Sequence, residues 1–156
     1  FDLPGFHRRF LDATGTEAPY ERFRATFLGA VRERPAMIAF LDTLPDRYRV
    51  GMLSNNVPTL CDTVRDDPRF ARIERFVFSN EIGVRKPDPA AFAALEEALG
   101  VPPSETVFVD DSATNVAAAE KLGYRAVLLD DLDRFGERWA RAVPDVPPPV
   151  GPESDA

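Results

Sequence analysis

Two adjacent carboxylates, Asp110 and Asp111, follow the strand-like run Thr106–Val109 and precede a helix that Ala117, Ala118 and Ala119 favour and Gly123 ends. Ser112 stands where it can cap that helix. In an open parallel α/β sheet, ligands bind beyond the carboxyl ends of the strands, so the pair lies where a site would form. Side-by-side carboxylates repel unless a positive group is near. A hard cation such as Mg2+, held by one or two carboxylates with water and a phosphate, meets that need. Acids at strand ends also serve as plain loop and cap residues, and the pair alone does not displace that reading. Other polar stations follow earlier strand-like runs: Ser54-Asn55 after Arg49–Leu53, and Lys86 in the loop after Arg75–Ser79, while Asn115 accompanies the two acids. Together they offer a hydroxyl and an amide for a phosphoryl oxygen, a cation to offset its charge, and carboxylates for a metal. These are the positioning and electrostatic parts that phosphoryl transfer requires. Lys86 is one of two lysines against seventeen arginines, which favours a need for a compact ammonium there. Lys121, the other, falls on an exposed helix face.

The elements that would carry these residues alternate. Pro4–Leu11 and Tyr20–Val31 read as helices, with Phe6 and Phe10 on one face of the first and Phe23, Phe27 and Val31 on one face of the second. Arg34-Pro35 opens a third helix through Leu44, closed by Pro45. From Arg49 onward, strand-like runs Arg49–Leu53, Arg75–Ser79, Thr106–Val109 and Arg125–Leu129 are separated by helical ones. One of these is expected to start at Pro89 with Asp88 as its cap and to stop at Gly100. This pattern predicts an α/β fold, a doubly wound parallel sheet with helices on both faces. The final stretch, residues 143–156, has five prolines and no apolar period, and reads as a flexible tail.

Composition narrows the function. A chain of 156 residues with 44% hydrophobic content fills one α/β domain. A net charge of −7 argues against nucleic acid and anionic membrane as partners. A single cysteine, Cys61, excludes an internal disulfide and fits a small buried residue in a cytoplasmic protein. No apolar run approaches a membrane span. Ser54 is not in a Gly-x-Ser-x-Gly turn and His7, the only histidine, belongs to an early helix with a surface role, so a serine hydrolase is a poor fit. The first residue is Phe1 rather than methionine, which raises the expectation of a missing beginning.

The runs GMLSNN, SNEIGVRKPDPAAF and VFVDDSATNVAAAEKLG resemble the second, third and fourth motifs of the haloacid dehalogenase superfamily. The resemblance is to its phosphatase-like members with a small helical cap, such as the sugar-phosphate phosphatases and the amino-terminal domain of soluble epoxide hydrolase. It covers Arg49 to Leu129 strongly. The resemblance implies a Rossmann-like core over residues 35–142, a partial helical cap over 1–34, and the tail over 143–156. It further implies that Ser54 and Asn55 contact a phosphoryl group, that Lys86 steadies the nucleophile and the phosphoryl charge, and that Asp111 binds Mg2+. Asp110 joins Lys86 in the catalytic set and, with Asn115, supports the metal shell and the loop. The family's chemistry is attack by an aspartate carboxylate, giving an aspartyl intermediate that water hydrolyses.

The chain departs from the family at the nucleophile. That aspartate ends the family's first strand in an Asp-x-Asp pattern, and no such segment is present here. Asp2 has only Phe1 before it and Pro4 in place of the second aspartate, so it reads as a helix cap. The absent strand lies mid-sheet in the family. Without it, the strands at Arg49–Leu53 and Thr106–Val109 either pair directly or leave backbone groups unpaired. The expectation is therefore an amino-terminally truncated Mg2+-dependent phosphatase for a small phosphorylated metabolite, inactive in this form. The alternatives are a 2-haloacid dehalogenase-like enzyme, which uses no metal, and a non-catalytic binding protein of the same fold. Arg8, Arg9, Arg22 and Arg24 on the early helices suit an anionic substrate or a solvated face equally.

Overall fold

The computed structural model describes residues 3–29, 33–56 and 58–149. The expectations for Asp2, Val31 and residues 150–156 lie outside these. The chain opens with three helices, α1 (Leu3–Thr14), α2 (Tyr20–Gly29) and α3 (Pro35–Thr43), before the alternating part begins. There follow β1 (Gly51–Ser54), α4 (Pro58–Asp66), β2 (Arg75–Phe78), the one-turn α5 (Ser79–Ile82) and α6 (Pro89–Leu99). β3 (Val107–Asp110), α7 (Ala113–Lys121), β4 (Arg125–Leu128) and α8 (Leu132–Ala142) complete it. The α/β alternation and all four strands match the sequence reading, with strand ends displaced by one or two residues. One expected loop differs: Asn80 belongs to α5, which Gly83 closes at a left-handed φ of 75°.

The strands form two parallel pairs, β1 with β2 and β3 with β4. Gly51 faces Arg75 in the first pair and Val107 faces Arg125 in the second. No ladder joins β1 to β3, so each keeps one edge without a strand among the described residues. Of the two arrangements expected, direct pairing of β1 with β3 or separate edges, the described residues show the second.

Packing holds the pairs together where hydrogen bonds do not. Leu53 and Val77 of the first pair share a buried cluster with Phe108 of the second, and Phe92, Leu95 and Leu99 of α6 fill the space between them. Phe92 is fully buried, its ring 5.2 Å from that of Phe108 and 5.8 Å from that of Tyr124. Gly51 is needed for this seating, because a Cβ there would lie 2.9 Å from Leu99 Cδ1 and 3.0 Å from Leu95 Cδ1. α6 starts as its sequence dictates, with Asp88 accepting from the Ala90 N–H and Pro89 at the first turn. It ends at Gly100 with φ 64°. The opposite face of β3–β4 is covered by a second cluster of Phe40, Val127, Phe135 and Trp139, with Val107 and Val109 packed against it. Strand β3 thus sends alternate residues into two cores, as the two-residue period of a strand requires.

The tail departs from expectation. Val143 and Val146 are buried in the second cluster, and the Trp139 indole N–H donates to the Val146 carbonyl at 2.9 Å. Tyr48 donates its hydroxyl to Asp145 at 3.0 Å, and Arg47 pairs with the same carboxylate. The proline content hid two valines spaced to reach the core. Arg47, and Tyr48 after it, hold the Asp145 carboxyl below its ordinary value. The sign follows: a lowered native pKa gives a contribution complete above the ordinary aspartate range and lost as pH falls through the native value. Acidification below about pH 4 should therefore loosen this strap. Trp139 is the only tryptophan, so its emission reports the change, and Asp145→Asn should show the same altered emission at neutral pH.

His7 also differs from its expected surface role. It is half-buried between α1 and α2, its ring 4.9 Å from that of Phe23, with Nε2 2.8 Å from the Ala18 carbonyl. Phe6, Phe10, Phe23 and Phe27 pack around the same hairpin.

Candidate active site

The carboxyl ends of β1 and β3 carry the polar stations, and one ammonium connects them. Lys86 Nζ donates to the Leu53 carbonyl at 2.6 Å and to Asp110 Oδ2 at 2.7 Å, so it bridges the two strand pairs. Both side chains are sheltered, Lys86 at 10% exposure and Asp110 at 5%. The other Asp110 oxygen, Oδ1, accepts from the Ser112 N–H at 2.9 Å and from Asn115 Nδ2 at 3.0 Å. A buried carboxylate with a cation and two neutral donors has both oxygens engaged, Oδ1 twice and Oδ2 once. An ammonium has three N–H groups, and Lys86 spends two of them here.

Ser112 was expected to cap α7 with its hydroxyl. It makes no side-chain cap; its backbone N–H is instead turned to Asp110. Asn55, expected at the phosphoryl group, has its side chain engaged within the protein. Its side chain closes a two-bond ring with the Lys86 backbone, Nδ2 donating to the Lys86 carbonyl at 2.9 Å and Oδ1 accepting the Lys86 N–H at 2.8 Å. An amide side chain matches the donor and acceptor of one peptide residue, so this ring fixes the loop that aims the lysine. The Asp88 N–H bonded to the Arg85 carbonyl at 2.9 Å tightens the same loop from its other side.

These groups line an open cleft of about 480 Å³, with Ser54, Arg85 and Asp111 around it. Ser54 Oγ and the Asp111 carboxylate have no hydrogen-bond or ion-pair partner among the described residues. Every site residue expected from sequence (Ser54, Asn55, Lys86, Asp110, Asp111 and Asn115) therefore lies at this cleft. Arg85, which also lines it, was missed; one arginine among seventeen carries little signal in a sequence.

A metal is the remaining question. Among the described residues no group of three His, Cys, Asp or Glu side chains gathers into a closed metal site. Asp111, exposed and uncommitted, suits a Mg2+ bound through one carboxylate with water and a phosphoryl oxygen, the usual manner for that ion. Asp110 does not offer itself in the same way, since both its oxygens are engaged.

Comparison with known proteins accords with this geometry. The profile of the haloacid dehalogenase-like hydrolase family matches residues 4–123. The chain is 34% identical over 121 residues to the phosphatase MT3486 of Mycobacterium tuberculosis, covering 74% of this chain and 55% of that protein. It is 32% identical over 124 residues to a phosphoglycolate phosphatase of Rhodospirillum rubrum, covering 76% of this chain and 52% of that one. The solved structure of a predicted HAD-like family hydrolase from Porphyromonas gingivalis superposes with a TM-score of 0.71 at 28% identity, covering 92% of this chain and 72% of that chain. The chain thus spans about half the length of these curated relatives. With its three motifs gathered at one cleft and the family profile matched from Pro4 to Gly123, the chain belongs to the haloacid dehalogenase-like hydrolases.

Proposed function

We propose that the whole protein is a Mg2+-dependent phosphatase acting on a small phosphorylated metabolite through an aspartyl-phosphate intermediate. The observation that carries this reading is the pairing of committed and uncommitted groups at one cleft: a braced Lys86–Asp110 pair beside a Ser54 hydroxyl and an Asp111 carboxylate that have no partner among the described residues. The phosphatase relatives support it.

In this reading Ser54 donates its hydroxyl to a phosphoryl oxygen, and the third N–H of Lys86 faces the phosphoryl charge. Asp110 holds Lys86 in place, Asn115 orients Asp110, and Asn55 fixes the loop. Asp111 holds Mg2+, which when bound supplies charge neutralisation for the phosphoryl oxygens. The nucleophilic aspartate belongs to a strand that joins the free edges of β1 and β3. Such a strand would satisfy both edges and bring its carboxyl end to the cleft. The 156-residue chain, which has no such strand among its described residues, is therefore inactive alone.

Thermal unfolding of this chain with Mg2+ and orthophosphate tests the reading. Mg2+ with phosphate should raise Tm, by the mass-action stabilisation of any ligand that binds only the native state. Asp111→Asn should lose that rise while keeping the Tm of the ligand-free protein within a degree or two, because an exposed, unpartnered carboxylate contributes little to the fold. No rise in the parent chain, or an equal rise in the variant, would remove Asp111 from the metal role. Turnover of a general phosphatase substrate by this chain would overturn its inactivity.

A further inference from the structure

Arg85 stands apart from the other arginines of the α/β part. Among the described residues from Pro35 onward, every arginine except Arg85 and Arg141 has a carboxylate or carbonyl partner. Arg47 holds Asp145, Arg49 holds Glu74, Arg65 holds Glu81 and Arg138 holds Asp130, and Arg75 and Arg125 donate to backbone carbonyls. Arg69, Arg72 and Arg134 are likewise paired. Arg141 is an exposed residue of the last turn of α8 and does not line the cleft.

Arg8, Arg22 and Arg24 of the early helices also lack a partner among the described residues, but neither they nor Arg141 line the cleft. The nearest acids in sequence are already committed. Glu81 is paired with Arg65, and Asp88 caps α6. Arg85 also sits on a rigid base. The next residue is locked through both backbone polar groups by Asn55, and the Arg85 carbonyl is bonded to the Asp88 N–H. A guanidinium is a planar fork that matches carboxylate and phosphate oxygens in pairs. Exposed and unpaired at the wall of the cleft, on a backbone that is already ordered, it is placed to bind an anion with only its own side chain left to order.

Lys86 cannot serve that purpose, because two of its three donors are held by Leu53 and Asp110. The Ser54–Lys86–Asp111 end of the cleft accounts for one phosphoryl group with its metal. Arg85 is then a cation in excess of what that group requires.

We propose that Arg85 selects the substrate, by binding a second anionic group on the phosphomonoester. The substrate class is a small phosphorylated molecule whose far end carries a carboxylate or another phosphate. This rests on the phosphatase reading of the same cleft.

The test is calorimetric binding to the 156-residue chain in saturating Mg2+, with four probes: orthophosphate, ethyl phosphate, 2-phosphoglycolate and ethylene bisphosphate. Ethyl phosphate and 2-phosphoglycolate have the same two-carbon frame and differ in a methyl against a carboxylate. The doubly anionic probes should bind about tenfold or more tightly than ethyl phosphate, in line with a charge-assisted hydrogen-bonded pair. Arg85→Gln should collapse that ratio towards one, and Arg85→Lys should retain part of it. Of the two doubly anionic probes, the tighter one distinguishes carboxylate from phosphate as the second group. If the chain binds orthophosphate but shows no preference for a second anion, or if Arg85→Gln keeps the preference, the assignment of Arg85 is wrong and the phosphatase reading stands. If neither orthophosphate nor any ester binds, the phosphatase reading of the cleft fails and the role of Arg85 fails with it. Circular dichroism of both variants confirms that a lost ratio is not a lost fold.

Discussion

Lys86→Met is expected to destabilise the chain by about 3–5 kcal/mol, the usual result of removing one partner from a buried ion pair. Methionine keeps the unbranched stem to within one atom of its length and none of its donors. Asp110, at 5% exposure, would keep only the Ser112 N–H and Asn115 as partners, and the Leu53 carbonyl would lose its donor. The lower end of the range is the better expectation, because those two donors remain. Urea denaturation measures the loss.

The companion variant is Asp110→Asn, which removes the charge but keeps an acceptor for Ser112. In the double variant Lys86→Met/Asp110→Asn, most of the penalty should vanish, so the two single losses are strongly non-additive. Simple additivity would mean that the pair is not a coupled unit. Binding of phosphate should not recover with stability in the double variant, since the ammonium that faces the phosphoryl group is still missing. Stability and affinity thus separate, and the two roles of Lys86 are read independently.

Phe92→Ala is expected to cost about 3–5 kcal/mol as well, for a different reason. Its ring is fully buried and lies against Phe108 and Tyr124, in the cluster that also holds Leu53 and Val77. Truncation leaves a cavity between the two strand pairs, where no backbone ladder resists their separation. Phe92→Leu keeps much of the volume and should cost under about 1.5 kcal/mol. Chemical denaturation of both variants provides the comparison, and a Phe92→Ala loss below about 1 kcal/mol would show that α6 is not what joins the pairs.

Much of the site was legible because its residues occupy strand ends, and strand ends are marked by the change from a two-residue to a helical period. Lys86 stood out by rarity, and Asp110-Asp111 by their repulsion. What was not legible depended on partners distant in sequence. Nothing in the Ser54-Asn55 dipeptide indicates that Asn55 turns to the Lys86 backbone, because that needs the loop after β2 to return over β1. Nor do two adjacent aspartates reveal which one is buried and satisfied and which is free. The helical hairpin was readable from its phenylalanine spacing, whereas His7 was not, since its place depends on a ring stack with Phe23 across a loop. The tail misled because proline content masks burial: Val143 and Val146 follow no period yet meet Trp139.

The division of the strands into β1–β2 and β3–β4 has a consequence for the order of assembly. Each pair is closed by one crossover and held by its own backbone ladder. Joining the pairs relies on side-chain contacts alone among the described residues, chiefly the rings around Phe92 and the Lys86–Asp110 bond. Those contacts form when two largely built halves dock. The cleft is then the last part of the molecule to come into being, and the first to be lost when the halves part.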